Sequence, residues 1–222
     1  MIVVMQCAGL KMPDAGCMRT AEGRKVKFVA HPDRAPAADF LYAHPDDDAG
    51  MGETWRSKLL RYNEAPGENP LGLLRAFELY RNDVYRRLAR HVGIENLFIL
   101  SAGWGLIPAS FLTPDYDITF TKTSDEYKRR TMSDSYRDFQ MLPPDTKRPV
   151  VFIGSKEYVP LFVSLTSTLT APRTLFYRTD TEPQAPGCKI VRYQSRGTTN
   201  WQYGCADHFI NGKLEIRFEH PL

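Results

Sequence analysis

Leu97-Phe98-Ile99-Leu100-Ser101-Ala102-Gly103-Trp104-Gly105-Leu106-Ile107 is the stretch of sequence that decides the fold. Its apolar start, residues 97–100, is typical of a strand that is buried on both faces. Two glycines then flank Trp104, and glycine allows the backbone to approach a ligand closely or to take a positive φ. Tyr116 and Asp117 follow downstream. A buried strand that ends near an aromatic ring and a carboxylate predicts a ligand site at the carboxyl edge of an open α/β sheet.

The residues before this strand predict a long helix over about 70–92. Apolar residues recur at spacings of three and four, which places them on one helix face: Leu73, Phe77, Tyr80, Val84 and Leu88. Gly93 follows as a C-terminal cap. A helix, a tight turn and a buried strand form one α/β unit, so we expect an α/β fold.

The rest of the chain supplies further elements of both kinds. We expect strands over 2–6, 26–30, 117–120, 150–153, 173–177, 189–193 and 214–218. We expect helices over 53–63, 123–139, 155–165 and 199–209, the second with a capping box from Thr123 to Glu126. These elements predict a single α/β domain over residues 1–222, in which residues 173–222 form a C-terminal extension that completes the site.

The composition is that of a folded protein without a strong charge bias. The 222 residues carry 29 basic and 26 acidic side chains, a net charge of +3, and 42% of them are hydrophobic. This charge neither establishes nor excludes a nucleic-acid partner, because a polyanion binder needs only a local basic patch. No apolar run is long enough for a membrane span, and residues 1–5 are typical of a first strand rather than a signal peptide. We therefore expect a cytoplasmic protein.

The cysteines and histidines predict no metal site. Cysteines at positions 7, 17, 188 and 205 have no zinc-binding spacing, so we interpret them as reduced thiols. His44 precedes three aspartates, residues 46–48, but no partner stands at a fixed spacing. We interpret this segment as a solvated acidic loop and expect no metal or other cofactor.

Ser101-Ala102-Gly103-Trp104-Gly105-Leu106-Ile107, followed by Tyr116-Asp117, resembles a motif of the bacterial YaaA-type proteins and of a related uncharacterised family. Those proteins carry an apolar strand, then Ser-Ala-x-Tyr/Phe-Gly-Leu, then Pro-Tyr-Asp. Their first strand is often followed by Cys-Ser-x-x-Lys, and here Cys7-Ala8-Gly9-Leu10-Lys11 stands in that place. The chain is also similar to the accessory domain of archaeal tRNA-guanine transglycosylases, whose fold is uracil-DNA-glycosylase-like. The resemblance covers roughly residues 1–165.

Three positions depart from the family pattern: Ala8 replaces Ser, Trp104 replaces Tyr or Phe, and Asp115 interrupts Pro-Tyr-Asp. The resemblance implies a three-layer sandwich with a mainly parallel central sheet and a uracil-DNA-glycosylase-like fold. It implies DNA binding, as in the YaaA group, or handling of bases, as in the glycosylase-like group. Some bacterial glycosylase-like proteins excise modified bases from phage DNA as an antiviral defence. We therefore expect a DNA glycosylase that hydrolyses the N-glycosidic bond of a modified base in DNA.

That chemistry needs a carboxylate, because cleavage of an N-glycosidic bond passes through an oxocarbenium-like sugar that a negative charge stabilises. Asp117 is the candidate catalytic residue, and its alternative is a strand-end carboxylate that accepts from a backbone amide. A flipped base needs a stacking ring and hydrogen bonds to its edge. We expect base or substrate contacts from Cys7, Lys11, Ser101, Trp104, Tyr116, Asn200 and Gln202. Trp104 has the alternative of filling the core. We expect phosphate contacts from Arg129, Arg130, Ser155 and Arg196.

Two other functions stay open on the sequence. One is a DNA-binding stress-response protein of YaaA type, which uses the same basic and aromatic surface without chemistry. The other is a hydrolase or transferase that acts on a free nucleoside or nucleotide.

Overall fold

The stretch that decides the fold contains a buried strand, as predicted. In the computed structural model, which describes residues 1–194 and 200–214, this strand is β5, Leu97–Ser101, and all its residues are buried. The other strands are β1 Ile2–Gln6, β2 Val26–Phe28, β3 Leu41–Ala43, β4 Leu74–Arg75, β6 Gly105–Pro108, β7 Leu112–Thr113, β8 Phe139–Gln140, β9 Val150–Ile153, β10 Arg173–Tyr177 and β11 Cys188–Arg192. The α-helices are α1 Trp55–Glu64, α2 Val84–Val92, α3 Val159–Thr166 and α4 Trp201–Ile210.

Seven of the strands in the described part of the chain form one central sheet in the order β11-β10-β9-β1-β5-β6-β8. Five of them, β11, β10, β9, β1 and β5, run parallel to one another. β6 is antiparallel to β5, and β8 is parallel to β6. The chain is therefore an α/β protein with a mostly parallel central sheet, as the sequence predicts.

The helices cover a sheet whose central strands are apolar throughout. β1 and β9 contain only buried residues, which is typical of strands with both faces covered. α2 packs on β1, β5 and α4, whereas α4 also packs on β9. α3 packs against β6. This arrangement is compatible with a three-layer sandwich.

The predicted helix over 70–92 is wrong in its first half. Only its last turns, α2, are helical, and β4 occupies part of the rest in an antiparallel pair with β7. Gly72 has a φ of +62°, and the Asn69 side chain bonds both backbone groups of Leu73. The backbone N–H groups of Ala76 and Phe77 donate to the carbonyl oxygens of Phe111 and Ala109, and not to carbonyls of a preceding helical turn. Leu73 and Tyr80 are buried as the pattern predicts, but they lie in non-helical segments before α2.

The predicted helix over 123–139 is also wrong, and so is the strand over 117–120. This region holds one turn of 3₁₀ helix, Glu126–Lys128, and two isolated bridges, from Tyr116 to Phe28 and from Thr119 to Arg129. Glu126 pairs with Arg34 and does not reach back to cap the turn. Because these backbone groups bond across the loop, no helical ladder forms.

The C-terminal strands belong to the same sheet as the rest of the chain. β10 pairs with β9 and β11 pairs with β10, both in parallel, so residues 173–192 extend the central sheet at one edge. The helix predicted to end at 209 is α4. Its predicted threonine cap and most of the predicted strand over 214–218 lie outside the described residues.

Candidate functional site

A polar cleft of about 500 Å³ opens at the carboxyl ends of β1, β9 and β10. These three strands run in parallel, so their last residues and the loops that follow meet at one edge of the sheet. The N-terminus of α4 and the loop after Phe120 close the cleft. Its lining residues are Gln6, Thr121, Lys122, Thr123, Ser155, Lys156, Glu157, Arg178, Thr179, Asn200, Trp201 and Gln202. The structure therefore brings together three predicted site residues that are far apart in the sequence: Ser155, Asn200 and Gln202.

Three carboxamides face this cleft. Gln6 is the last residue of β1, and its Oε1 accepts a hydrogen bond of 2.5 Å from the backbone N–H of Ser155, which ties β1 to the turn after β9. Asn200 precedes α4 in a left-handed conformation with a φ of 55°. Within the described residues, the side chains of Asn200 and Gln202 have no hydrogen-bond partner. Their donors and acceptors are therefore available to a ligand.

Cationic and aromatic side chains complete the lining. Lys122, Lys156 and Arg178 come from three different loops and give the cleft a local positive charge. Arg129, which we expected to bind phosphate, donates from Nη1 to the backbone oxygen of Lys122 at 3.0 Å. It therefore holds the loop that carries Lys122. Trp201 is half-buried and packs on Tyr193, with ring centroids 5.8 Å apart. The cleft thus combines positive charge, hydrogen-bonding amides and an indole ring.

Glu157 is the carboxylate among the lining residues of the cleft. It lies in the single 3₁₀ turn Lys156–Tyr158 that follows β9 and the Gly154-Ser155 turn. The side chain is partly buried, and no described residue hydrogen-bonds or pairs with it. A carboxylate in this position is free to accept a proton or a hydrogen bond from a bound molecule.

A wider groove of about 1150 Å³ adjoins the cleft and shares Lys156, Arg178 and Thr179 with it. The groove runs along the carboxyl ends of β10 and β11, where Arg192 pairs with Asp180 at 2.6 Å. Its other lining residues are Val159, Pro160, Thr181, Glu182, Pro183, Gln184, Tyr193 and Gln194. Its acidic and basic side chains are mixed, so the positive charge is concentrated in the smaller cleft.

Cys7, Ser101 and Tyr116, three predicted site residues, form a buried polar network behind the cleft. The Sγ atom of Cys7 lies 3.1 Å from the Tyr158 hydroxyl. The Ser101 hydroxyl donates to Tyr116 at 2.9 Å, and the hydroxyls of Tyr80 and Tyr116 are also 2.9 Å apart. Burial raises the pKa of Tyr80, Tyr116 and Tyr158 well above the usual value, so these hydroxyls keep their protons at neutral pH.

Lys11 lies at the outer side of this network. Its Nζ is 4.2 Å from the centre of the Tyr116 ring and donates to the backbone oxygens of Ala8 and Gly9. Burial lowers the pKa of Lys11, although the charges of Cys7 and Asp115 act in the opposite direction. The structure therefore brings Lys11 together with Cys7 and Tyr116, as expected for one site, but not into the cleft lining.

Asp117, the predicted catalytic carboxylate, lies on this outer side and is absent from the cleft lining. Its Oδ2 is 3.2 Å from Lys128 Nζ, and its side chain is 34% exposed. The pKa of Lys128 is raised, first by its hydrogen bond to Asp125 and also by Asp117. The backbone N–H of Asp117 donates to the oxygen of Phe28 at 2.7 Å. The carboxylate is thus held in an ion pair with a lysine.

Trp104 and Arg130 occupy positions that do not suit their predicted roles. Trp104 is 0% exposed and packs edge-on against Phe28 with centroids 4.9 Å apart, so the ring fills the core and offers no face to a base. Arg130 is 4% exposed, donates to the Ala102 oxygen and forms a two-pronged ion pair with Asp138. Because its charge is buried and paired, it supports the loop around Trp104 and is not placed to bind phosphate. Arg196 lies outside the described residues.

Sequence reasoning missed Gln6, Lys122, Lys156, Glu157 and Arg178. Gln6, Lys156, Glu157 and Arg178 share one signal, since each lies at or just after the carboxyl end of a predicted strand. Applying the strand-end rule to every strand, and not only to the Trp104 stretch, would have found them. Lys122 follows the strand predicted over 117–120 and so carries the same signal, although the structure has no regular strand there.

Within residues 1–194 and 200–214, no three His, Cys, Asp or Glu side chains lie close enough together to hold a metal ion. No helix in the same ranges has the length and apolar character needed to cross a membrane. The sequence matches no protein-family model, and no curated protein or solved structure is significantly similar to it.

Proposed function

We propose that this protein is a nucleic-acid base glycosylase that hydrolyses the N-glycosidic bond of a modified base in DNA. The observation that carries the proposal is the cleft at the carboxyl ends of β1, β9 and β10. It combines carboxamides, cations, an indole ring and one unpaired carboxylate in about 500 Å³. The carboxamides, the cations and the indole ring each match one part of a nucleotide.

The carboxamides of Asn200 and Gln202 match the edge of a base, because an amide presents a donor and an acceptor in the same plane. The indole of Trp201 offers an apolar face on which a base that has left the duplex can stack. Lys122 and Lys156 match the phosphates on either side of the target nucleotide. An extruded nucleotide therefore finds partners for its base and for its backbone in one place.

The proposal extends to the fold and to the biological role. A uracil-DNA-glycosylase-like three-layer sandwich is supported by the mostly parallel sheet and by helices that pack on its strands. A role in defence against phages with modified DNA follows from the resemblance and from the proposed reaction. Both are part of the proposal.

The test is a search for released bases. The protein is incubated with duplexes that carry different base modifications, and mass spectrometry of the supernatant identifies any free base. We expect release of a modified base and an abasic site that alkali cleaves. Trp201→Ala and Asn200→Gly should each weaken substrate binding about tenfold or more, since stacking alone contributes roughly 1–3 kcal/mol per base. Glycine is chosen at 200 because it accepts the positive φ.

Asn211→Ala is the matched control, because Asn211 caps the opposite end of α4 and bonds only within the helix there. We expect it to bind and cleave as the unchanged protein does. Release of a base that is unaffected by Trp201→Ala and Asn200→Gly would reject the cleft as the site. No release from any duplex would reject the glycosylase.

DNA binding without chemistry is the second candidate function, and the position of Asp117 favours it. This carboxylate is paired with Lys128 and lies outside the cleft lining. Such a protein would bind unmodified duplex with a steep dependence on salt and would yield no product. An enzyme for free nucleotides would instead act on mononucleotides and ignore polymer, so a mononucleotide arm in the same assay separates all three functions.

A further inference from the structure

We propose that Glu157, and not Asp117, is the catalytic carboxylate of the cleft, where it acts as a general base toward water. This inference rests on the proposed glycosylase function. It assigns the reaction to a residue in the turn after β9 that no sequence motif marks.

The position of Glu157 is the first support. Among the described residues that line the cleft, it is the only one with a carboxylate. It is two residues from Ser155, whose N–H is bonded to Gln6, and next to Tyr158, whose hydroxyl contacts Cys7. The turn that carries Glu157 is therefore fixed at both sides by contacts to the end of β1, so the carboxylate has a defined place.

The freedom of its carboxylate is the second support. No described residue bonds or pairs with Glu157, whereas Asp117 is 3.2 Å from the Lys128 ammonium. An ammonium that occupies a carboxylate oxygen competes with water for it, so a paired aspartate is a poor base. The charged groups that share the cleft with Glu157 are Lys122, Lys156 and Arg178. Among the described residues, no ion pair joins Glu157 to Lys122 or Lys156, so its oxygens stay open to water.

The reaction balances with water as the only co-reactant. The bond between C1′ of the sugar and the base nitrogen breaks, and its electron pair leaves with the base. Glu157 takes one proton from a water molecule as the oxygen of that water forms a bond to C1′. The departing base takes up a proton from solvent, and Glu157 returns its own proton to solvent. The products are the free base and an abasic sugar with a hydroxyl at C1′.

The experiment compares single-turnover base release by Glu157→Gln, Asp117→Asn and the control Asp145→Asn. Each substitution removes one carboxylate charge, and Asp145 is exposed in the loop at the amino end of β9, away from the cleft. We expect Glu157→Gln to lower the rate about 10²-fold or more, as removal of a general base does, while DNA affinity stays within about twofold. Asp117→Asn and Asp145→Asn should keep rates close to that of the unchanged protein.

The pH profile separates catalysis from a structural role. In the unchanged protein we expect the rate to fall at low pH, because a general base acts only in its deprotonated form, and Glu157→Gln should lack this acid limb. Glu157→Asp should restore part of the rate. The inference is overturned if Glu157→Gln cleaves at the full rate, or if Asp117→Asn alone loses cleavage. In either case, base release by the unchanged protein still supports the glycosylase function. Absence of release from the unchanged protein rejects the proposed function itself and, with it, this role of Glu157.

Discussion

Arg56 and Arg130 hold the loop around Trp104 by its backbone oxygens. Arg56 donates to the oxygens of Gly103 and Trp104 at 3.0 and 3.1 Å, and Arg130 donates to the oxygen of Ala102 at 2.7 Å. Each guanidinium is paired with a carboxylate, Arg56 with Asp46 and Arg130 with Asp138. Buried charge thus satisfies the carbonyls of Ala102 and Gly103, and that of Trp104 also accepts from the backbone N–H of Phe139 in β8 at 2.9 Å.

We predict that Arg56→Met destabilises the protein by about 3–5 kcal/mol, because it removes the guanidinium partner of Asp46 and leaves the buried Gly103 carbonyl without its donor. Urea unfolding followed by tryptophan fluorescence measures the loss. Arg61→Met is the matched control on the same helix: its side chain is 67% exposed in a surface pair with Glu53, so we expect a change of at most about 1 kcal/mol. Equal losses for the two variants would contradict the buried role of Arg56.

His44 makes stability depend on pH. Its Nδ1 accepts a hydrogen bond of 3.1 Å from the N–H of Asp46, and its ring packs 4.2 Å from that of Tyr136. Burial lowers the pKa of His44 below its usual 6.5, although Asp46 and Asp47 oppose the shift. The unfolded chain therefore binds a proton at a higher pH than the folded protein does.

As the pH falls below 6.5, the unfolded state takes up that proton before the folded state does. The free energy of unfolding therefore decreases as the pH decreases, by up to about 1.4 kcal/mol per pH unit from this group. Well above pH 6.5 the His44 side chain is neutral in both the folded and the unfolded state, so it no longer makes stability depend on pH. We predict that His44→Gln, which keeps an acceptor but does not titrate, flattens the curve between pH 6.5 and 5. Chemical unfolding at a series of pH values tests this, and parallel curves for the two proteins would refute it.

At the scale of elements, β6 begins at a glycine that no other residue can replace without strain. Gly105 has a φ of +88° and pairs with Phe139 of β8. A Cβ at 105 would collide with the carbonyl oxygen of Phe139 and lie 2.7 Å from its nitrogen. The edge of the central sheet can therefore approach this turn only because residue 105 has no side chain.

We predict that Gly105→Ala costs about 3–4 kcal/mol, the sum of the strain of a positive φ and a clash with backbone that cannot move aside. Gly67→Ala is the control, since Gly67 also has a positive φ, 52°, but a Cβ there meets open space. It should cost only about 1–2 kcal/mol. Thermal unfolding of both variants separates the strain of the positive φ from the clash with the backbone of Phe139. A Gly105→Ala protein as stable as Gly67→Ala would show that β8 can shift.

Some elements followed from the sequence and others did not, for a common reason. β1, β5 and β9 were predictable because a short apolar run between polar loops fits little else than a buried strand. The pattern over 70–92 correctly predicted the burial of Leu73, Tyr80, Val84 and Leu88, but Phe77 is only partly buried and the first half of the predicted helix is wrong. There the amides of Ala76 and Phe77 find partners at 111 and 109, far along the chain, and periodicity carries no information about such partners.

At the scale of the whole molecule, the net charge is only +3, and three cationic side chains, Lys122, Lys156 and Arg178, line the cleft at the carboxyl edge of the sheet. Lys122 and Lys156 line the cleft at the carboxyl edge, whereas Lys25 and Lys147 lie at the amino ends of β2 and β9. A polyanion that binds in the cleft would therefore contact the first pair and leave the second pair in solvent.

We predict that Lys122→Gln with Lys156→Gln weakens DNA binding and lowers the slope of log affinity against log salt by about two, one for each phosphate that no longer has a lysine beside it. Fluorescence anisotropy over a range of salt concentrations measures the slope. Lys25→Gln with Lys147→Gln changes the net charge equally and should leave the slope unchanged. Equal effects of both pairs would mean that net charge, and not the cleft, governs binding.

The sequence by itself determined the class of the fold and predicted that a ligand site would lie at the carboxyl edge of the sheet. Runs of apolar residues between polar loops specify buried parallel strands, and the loops after parallel strands must meet at one edge. Only the tertiary structure decided which side chains reach that edge: it placed Glu157, Asn200 and Gln202 in one cleft, Asp117 in an ion pair outside the lining, and Trp104 in the core. The reason is physical, because burial and pairing depend on residues far apart in the chain, whereas the strand pattern depends only on neighbours.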